Sequence, residues 1–331
     1  MGTRSIRSIW ASVGSRDADQ QRALLTEVKI QRDMRRACCT EKSVVVRLRG
    51  GTGNQLFQWA AGRALAERNR VPLWVDTSTG FAGDEYRRQF ALTEFCFTGT
   101  ILPGRKALDV WRWRGITDRS FPLMEKLFRR ATGRNFWPCI VNCRVTSLRV
   151  LDGYFQSPLY FQGFEDLIRN ELRFKYDHAV DSGLQELIES TDSVGVHVRR
   201  LHGVPTGAIE RHGLGYGYYA RACSRLVQGL RKPHMFVFGD KPEWLLAGYS
   251  PLCPVTVVTG NYTKNDIGDL CLMAKCKHHI ISNSTFAWWG AWLGRQEGQR
   301  VIAPDIFSPN LRWRYRDVYP TEWEQIAAIP S

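Results

Sequence analysis

The 331-residue chain has no apolar run near the roughly 20 residues that a membrane-spanning helix requires. Its opening, MGTRSIRSIWASVGSRDADQ, lacks the apolar stretch of a secretory signal, so a cytoplasmic location is expected. Metal-site cysteine spacing is missing too. The nine cysteines are scattered, and neither Cys139 with Cys143 nor Cys271 with Cys276 has the spacing of a zinc site. Reduced, mostly buried thiols are expected, as in a reducing compartment. No zinc finger, RNP-type aromatic motif or basic-region heptad is present, which leaves nucleic acid without support as a partner.

Positive charge and tryptophan are plentiful: the net charge is +14 and there are 12 tryptophans. Residues 105 to 149 carry eleven Lys and Arg against three acids, interleaved with Trp111, Trp113 and Trp137. Such a segment suits an anionic partner, and peripheral docking on the inner face of an anionic membrane is one expectation. A solvated helical face explains the same composition. Residues 1–42 are highly charged with weak periodicity and read as an extension outside the folded units.

Past the extension, Val44 to Leu48 form a short apolar strand, followed by the glycine turn Arg49-Gly50-Gly51-Thr52-Gly53-Asn54-Gln55 and a helical pattern from Leu56. Glycine there lets backbone approach a ligand closely or lets helix pack on sheet. A Walker lysine is missing, so this is not the phosphate loop of an NTPase. Residues 71–76 read as the next strand, 150–157 as a strand ending in a polar turn, and 160–172 as a helix. A second unit opens with Ser193-Val194-Gly195-Val196-His197-Val198-Arg199-Arg200, an alternating strand delivering two arginines to its carboxyl end. Neighbours in a strand face opposite sides, so one arginine is expected to enter the cleft while the other packs. A glycine-rich loop follows at 201–217, then a strand closing on Asp240 and a helix opening at Glu243 and Trp244. Strands and helices alternate twice over, which predicts two doubly wound α/β domains facing a cleft, residues 43–185 and 186–331.

The stretch DLCLMAKCKHHIISNSTFAWWGAWL, residues 269–293, reads helix, strand, polar turn, helix. Asn283-Ser284-Thr285 stand where the strand ends and the last helix starts. Two uses are open to them: capping the helix, or holding an anion on its free N–H groups.

Four segments together resemble the bacterial α-1,2-fucosyltransferases of glycosyltransferase family 11: GGTGNQLFQWAAGRALA, GYFQSPLYF, VGVHVRR and the run at 269–293. The resemblance spans roughly residues 44 to 304. It implies a GT-B-like fold, an acceptor-side first domain and a GDP-sugar-binding second domain. It also implies inverting transfer of L-fucose from GDP-fucose to the 2-hydroxyl of a galactose-terminated glycan, in surface polysaccharide or O-antigen synthesis. On that basis Arg199 contacts the β-phosphate, His197 lies near ribose and guanine, and Asp269 accepts from the guanine edge. Asn283, Ser284, Thr285 and the backbone at Phe286 hold the phosphates, while Gly53 and Asn54 face the fucose from the first domain. No metal cofactor is implied. Asp-x-Asp is not found between residues 43 and 331, and its one instance, Asp17-Ala18-Asp19, lies in the extension.

One departure stands out. The family's His-x-Arg-Arg-Gly-Asp reads His197-Val198-Arg199-Arg200-Leu201-His202 here, so the acid is missing. Candidates for the catalytic base are then Glu210, His202 and Asp240, polar groups beyond strand ends. Two alternatives remain open: the same donor with another glycan acceptor, or a GDP-sugar-binding protein that has lost transfer.

Overall fold

The computed structural model describes residues 42–84, 86–102, 104, 107–108, 127–128, 130–175, 181–200, 213–258, 262, 266–307 and 317–328. Of the basic, tryptophan-bearing segment 105–149, residues 105–106, 109–126 and 129 therefore lie outside the described residues, as do His202, Glu210 and the extension up to residue 41.

Two sheets, each wholly parallel, organise the chain. The first contains β1 (Ser43–Arg47), β2 (Leu73–Asp76), β3 (Thr100–Leu102) and β4 (Leu148–Leu151) in the order β3-β2-β1-β4. The second contains β5 (Asp192–Val198), β6 (Pro233–Gly239), β7 (Val255–Val257), β8 (His278–Ile280), β9 (Val301–Pro304) and β10 (Glu324–Ile326). Their order, β10-β9-β8-β5-β6-β7, is that of a complete dinucleotide-binding sheet. Both sheets reverse direction once, between β1 and β4 and between β5 and β8. These reversal points are where ligands of wound sheets sit, beyond the strand carboxyl ends. This is the α/β, GT-B-like architecture expected.

The helices are α1 (Thr52–Asn69), α2 (Pro138–Val141), α3 (Glu165–Glu171), α4 (Ser182–Ser190), α5 (Tyr216–Val227), α6 (Glu243–Gly248), α7 (Asp266–Lys275) and α8 (Thr285–Leu293). Helix α4 is continuous across residues 185 and 186. Its Asp181 cap accepts from the Leu184 amide at 2.8 Å, and Leu184 and Ile188 are buried. Among the described residues no helix is long and apolar enough to cross a membrane.

Burial explains the sequence patterns. Ser193 to Val198 are all buried, as a central parallel strand covered on both faces must be. Helix α8 is buried from Ala287 to Trp292, because it is wedged between the sheets against α1. Phe57 of α1 lies 4.5 Å from Trp288 and 5.1 Å from Trp289, ring centre to ring centre. One large apolar cluster thus takes residues from both sheets.

Four expectations shift. The strand expected at 150–157 is β4, ending at Leu151, and Asp152 to Ser157 form an irregular segment in which Phe155 adopts φ +49°. The helix expected over 160–172 is a 3-10 turn at Pro158–Phe161 and then α3, split where Gly163 takes φ +84°. Gly53 and Asn54, read as loop, belong to the first turn of α1. Of the seven described cysteines, all free, only Cys223, Cys271 and Cys276 are buried, so "mostly buried" overstated the case.

Candidate functional site

The reversal between β5 and β8 brings His197, Arg199, Ser282, Asn283 and the start of α8 to one place. His197 is buried near the end of β5, with Nδ1 2.8 Å from Ser282 Oγ. Burial pulls its imidazole down to about 4; Asp240 opposes the shift and Arg199 adds to it, so the ring is neutral near pH 7. Arg199 stands one residue past the strand and donates from Nη1 to the Asn283 carbonyl at 3.0 Å. Burial also lowers its pKa; Asp240 pulls the other way, and the charge of Arg88 adds to the lowering. An arginine starts so high that it stays cationic.

The second arginine turns aside, as the strand periodicity required. The Arg200 guanidinium lies 4.1 Å over the Trp244 ring, which stacks on Tyr216 at 4.0 Å, and its backbone N–H donates to Asp240 Oδ1 at 2.7 Å. Two adjacent tyrosines of α5 brace the strand ends. Tyr218 donates to the Ile281 carbonyl at 2.6 Å and Tyr219 to the His197 carbonyl at 3.2 Å.

Ser284 is the N-cap of α8, yet its side chain makes no capping bond. The amides of the first turn are therefore not spent on the cap, and a helix start in that condition attracts anions. Helix α1 begins the same way, on Gly51, which has no side chain to offer. The two starts meet. A Cβ on Gly53 would stand 2.5 Å from the Phe286 amide nitrogen and 2.6 Å from the Thr285 carbonyl oxygen, so only glycine fits. Trp289 Nε1 seals the contact by donating to the Gly53 carbonyl at 3.0 Å. Asn54 Oδ1 accepts from Gln156 Nε2 at 2.8 Å, which ties α1 to the segment after β4.

Asp269 lies half-buried in the first turn of α7. Helices that follow strands of a parallel sheet start at the edge where strands end, so Asp269 is on the same edge as Arg199 and α8. Asp240 is exposed, one residue past β6.

Sequence reasoning missed Arg88. Gln55, at the start of α1, donates to the carbonyls of Gly50 and Gln89, each at 2.9 Å, and accepts from the Ala91 amide at 2.9 Å. That clamp carries the neighbouring Arg88 into electrostatic range of Arg199. Its guanidinium stacks 4.1 Å over Tyr86 and pairs with Asp84 at 3.6 Å. Only the adjacent Arg87-Arg88 could have hinted at it.

Arg199 and the starts of α1 and α8 thus gather positive potential at the ends of the strands, where the field of Arg88 is also felt, an arrangement that can take an anionic, nucleotide-like ligand. Comparison with known sequences makes this specific. Residues 123–327 match the sequence profile of glycosyl transferase family 11, and the chain belongs to that family. An α-1,2-colitosyltransferase of Escherichia coli is 29% identical, covering 86% of this chain and 98% of its own. An Escherichia coli O-antigen biosynthesis glycosyltransferase, WbnK, is 26% identical over 78% of this chain and 92% of its own. A galactoside 2-alpha-L-fucosyltransferase of Caenorhabditis elegans is 25% identical over 60% and 59%.

Proposed function

We propose that the chain transfers L-fucose from GDP-fucose to the 2-hydroxyl of a terminal galactoside, inverting the anomeric centre. The observation that carries this reading is the Arg199 guanidinium, held on the Asn283 carbonyl beside two uncapped helix starts. As the acceptor oxygen bonds to the anomeric carbon, the bond from that carbon to the β-phosphate oxygen breaks and the electron pair leaves with GDP. Negative charge therefore grows on the β-phosphate, beside Arg199 and the amides of Thr285 and Phe286. Groups fixed there beforehand stabilise it without reorganising. Asp269 reads the guanine edge, and neutral His197 packs behind the nucleotide rather than adding charge.

The hydroxyl proton must leave to a base. Of the three candidates only Asp240 lies among the described residues, and its Oδ1 already accepts from the Arg200 amide. Asp240 is thus assigned a positioning role, fixing the turn that carries both arginines, and the base is sought at His202 or Glu210. Metal independence belongs to the proposal, because Arg199 and the helix starts meet the diphosphate charge.

A second reading has its own support. The relative sharing 29% identity over 86% of the chain is a colitosyltransferase, so the transferred sugar is colitose under this alternative. Offering GDP-fucose and GDP-colitose together, and weighing the product, separates the two. A fucosylated product supports the first reading, and a colitosylated one replaces it. The O-antigen relative supports a polysaccharide acceptor in either case.

A further inference from the structure

Arg88 belongs to the first domain, yet its charge acts on the second. Residues 77–91 follow β2 across the carboxyl edge of the first sheet. Their near end is fastened where Asp76 Oδ1 accepts from the Ser78 and Thr79 amides at 2.9 and 3.0 Å, and where Arg47 donates to the Thr79 carbonyl at 2.6 Å. Their far end is fastened by Gln55, whose side chain holds Gln89 and Ala91. Gln55 lies two residues past Gly53, where α1 touches the start of α8. Between these anchors the chain turns sharply. The Arg87 amide donates to the Asp84 carbonyl at 2.9 Å, and Arg87 takes φ +53°, left-handed backbone that residues other than glycine seldom adopt. Such a conformation at a charged surface residue points to a function for the turn.

The turn aims Arg88 without using up its donors. Asp84 Oδ2 accepts from the Arg88 backbone amide at 2.9 Å, while the guanidinium stays 3.6 Å from Asp84 Oδ1, past hydrogen-bond length. The Tyr86 ring, 4.1 Å away, fixes the plane of the guanidinium, and the side chain is 35% exposed. Among the described residues its N–H groups make no hydrogen bond, so the fork is open to a ligand. Both Tyr86 and Arg88 act electrostatically on Arg199, which places the turn opposite the end of β5. Two guanidiniums, one from each domain, are thus kept within reach of each other's charge. Like charges repel, and an anion between them relieves the repulsion.

We propose that Arg88 is a second ligand of the donor diphosphate, binding the β-phosphate from the first domain while Arg199 binds it from the second. The ligand class is a nucleoside diphosphate, whose terminal phosphate carries more charge than one guanidinium neutralises. When the bond from the anomeric carbon to the β-phosphate oxygen breaks, the electron pair stays on that oxygen, and its charge is met from both sides. The acceptor-side domain thereby takes part in stabilising the leaving group. This inference rests on the transferase reading above and deepens it.

The test uses the full chain, with GDP and GMP as probes, because only GDP carries the β-phosphate. Calorimetry reads both affinities, turnover with GDP-fucose and lactose gives kcat, and the melting temperature reports the fold. Arg88→Gln is expected to weaken GDP binding about 10- to 100-fold and to lower kcat by a similar factor, while GMP affinity stays within about twofold. Arg88→Lys is expected to restore part of the loss, since it keeps the charge but not the fork. Arg87→Gln removes the same charge one residue away and is expected to leave GDP affinity within about twofold, because a general field effect at an exposed site is screened. GDP affinity unchanged in Arg88→Gln would overturn the proposal. So would an equal loss for GMP, or an equal loss in Arg87→Gln. If Arg88→Gln loses the preference for GDP over GMP in a chain that transfers nothing from GDP-fucose, the transferase reading fails and Arg88 stands as a diphosphate ligand.

Discussion

In the proposed reaction Arg199 carries the largest share, because its guanidinium bonds directly to the turn that leads into α8. Replacing it with alanine is expected to lower kcat/KM by about 100- to 1,000-fold and to weaken GDP binding while the fold persists. Lysine there is expected to recover little, since a point charge cannot both hold the Asn283 carbonyl and reach a phosphate. Circular dichroism beside steady-state kinetics checks both variants, and near-normal turnover would remove Arg199 from the site. Arg88→Ala is expected to change the salt dependence of GDP binding, because it removes a charge near Arg199. Titration at two ionic strengths reads this.

Two buried histidines set a pH dependence of stability. His197 and His279 are both held neutral, with pKa values of about 4 through burial. His279 Nε2 lies 2.8 Å from the Met273 carbonyl and Nδ1 3.1 Å from Gln299 Nε2, so the neutral ring donates at one nitrogen and accepts at the other. A native pKa below the unfolded value of roughly 6.5 means that the unfolded chain takes up protons first. Their stabilisation is therefore complete above about pH 6.5 and is lost as the pH falls toward 4. His279→Gln is expected to flatten the melting-temperature curve across that window relative to the unaltered chain.

At the scale of elements, the contact between α1 and α8 decides whether the two helix starts stand together. Gly53→Ala places a methyl group against backbone that cannot swing away, so the two helix starts must separate. The expected cost is about 1–3 kcal/mol of stability together with a larger loss of turnover than of folding. Chemical denaturation and activity measured on one preparation test this, and an unperturbed variant would show that the contact is not needed.

The strand at β1 and the polar stop before α8 were legible, because period and punctuation are local properties of the chain, whereas β5, read as alternating, is buried on both faces from Ser193 to Val198 because strands pair on either side and helices cover it. The Asn283-Ser284-Thr285 turn and the pair of arginines at the end of β5 were legible for the same reason, but that Arg200 is the one that packs, on Trp244, was not. The meeting of Gly53 with Thr285 joins residues more than 200 positions apart, and no local pattern encodes it. Arg88 owes its place to Gln55, whose amide does its work through backbone groups near residues 50 and 90. The split helix before α3 was missed because Gly163 and Phe164 sit inside an otherwise helical apolar spacing.

For the whole molecule, the main consequence is that the two sheets share a core. Phe57, Phe161, Trp288, Trp289 and Trp292 pack across the junction, and Trp288 Nε1 donates to the Val318 carbonyl at 2.9 Å. Unfolding is expected to be one coincident transition for both units, read by calorimetry and by tryptophan fluorescence. Two separated transitions would show that the junction is weak.

The most direct test of the central claim is transfer from GDP-fucose, in the presence of EDTA, to lactose and a small panel of galactosides, with product mass and linkage determined. An α-1,2-fucosylated product is expected. It would establish donor, linkage and metal independence together. Tight GDP binding without any product from GDP-fucose, with or without added divalent cation, would contradict the assignment of fucosyl transfer to this cleft.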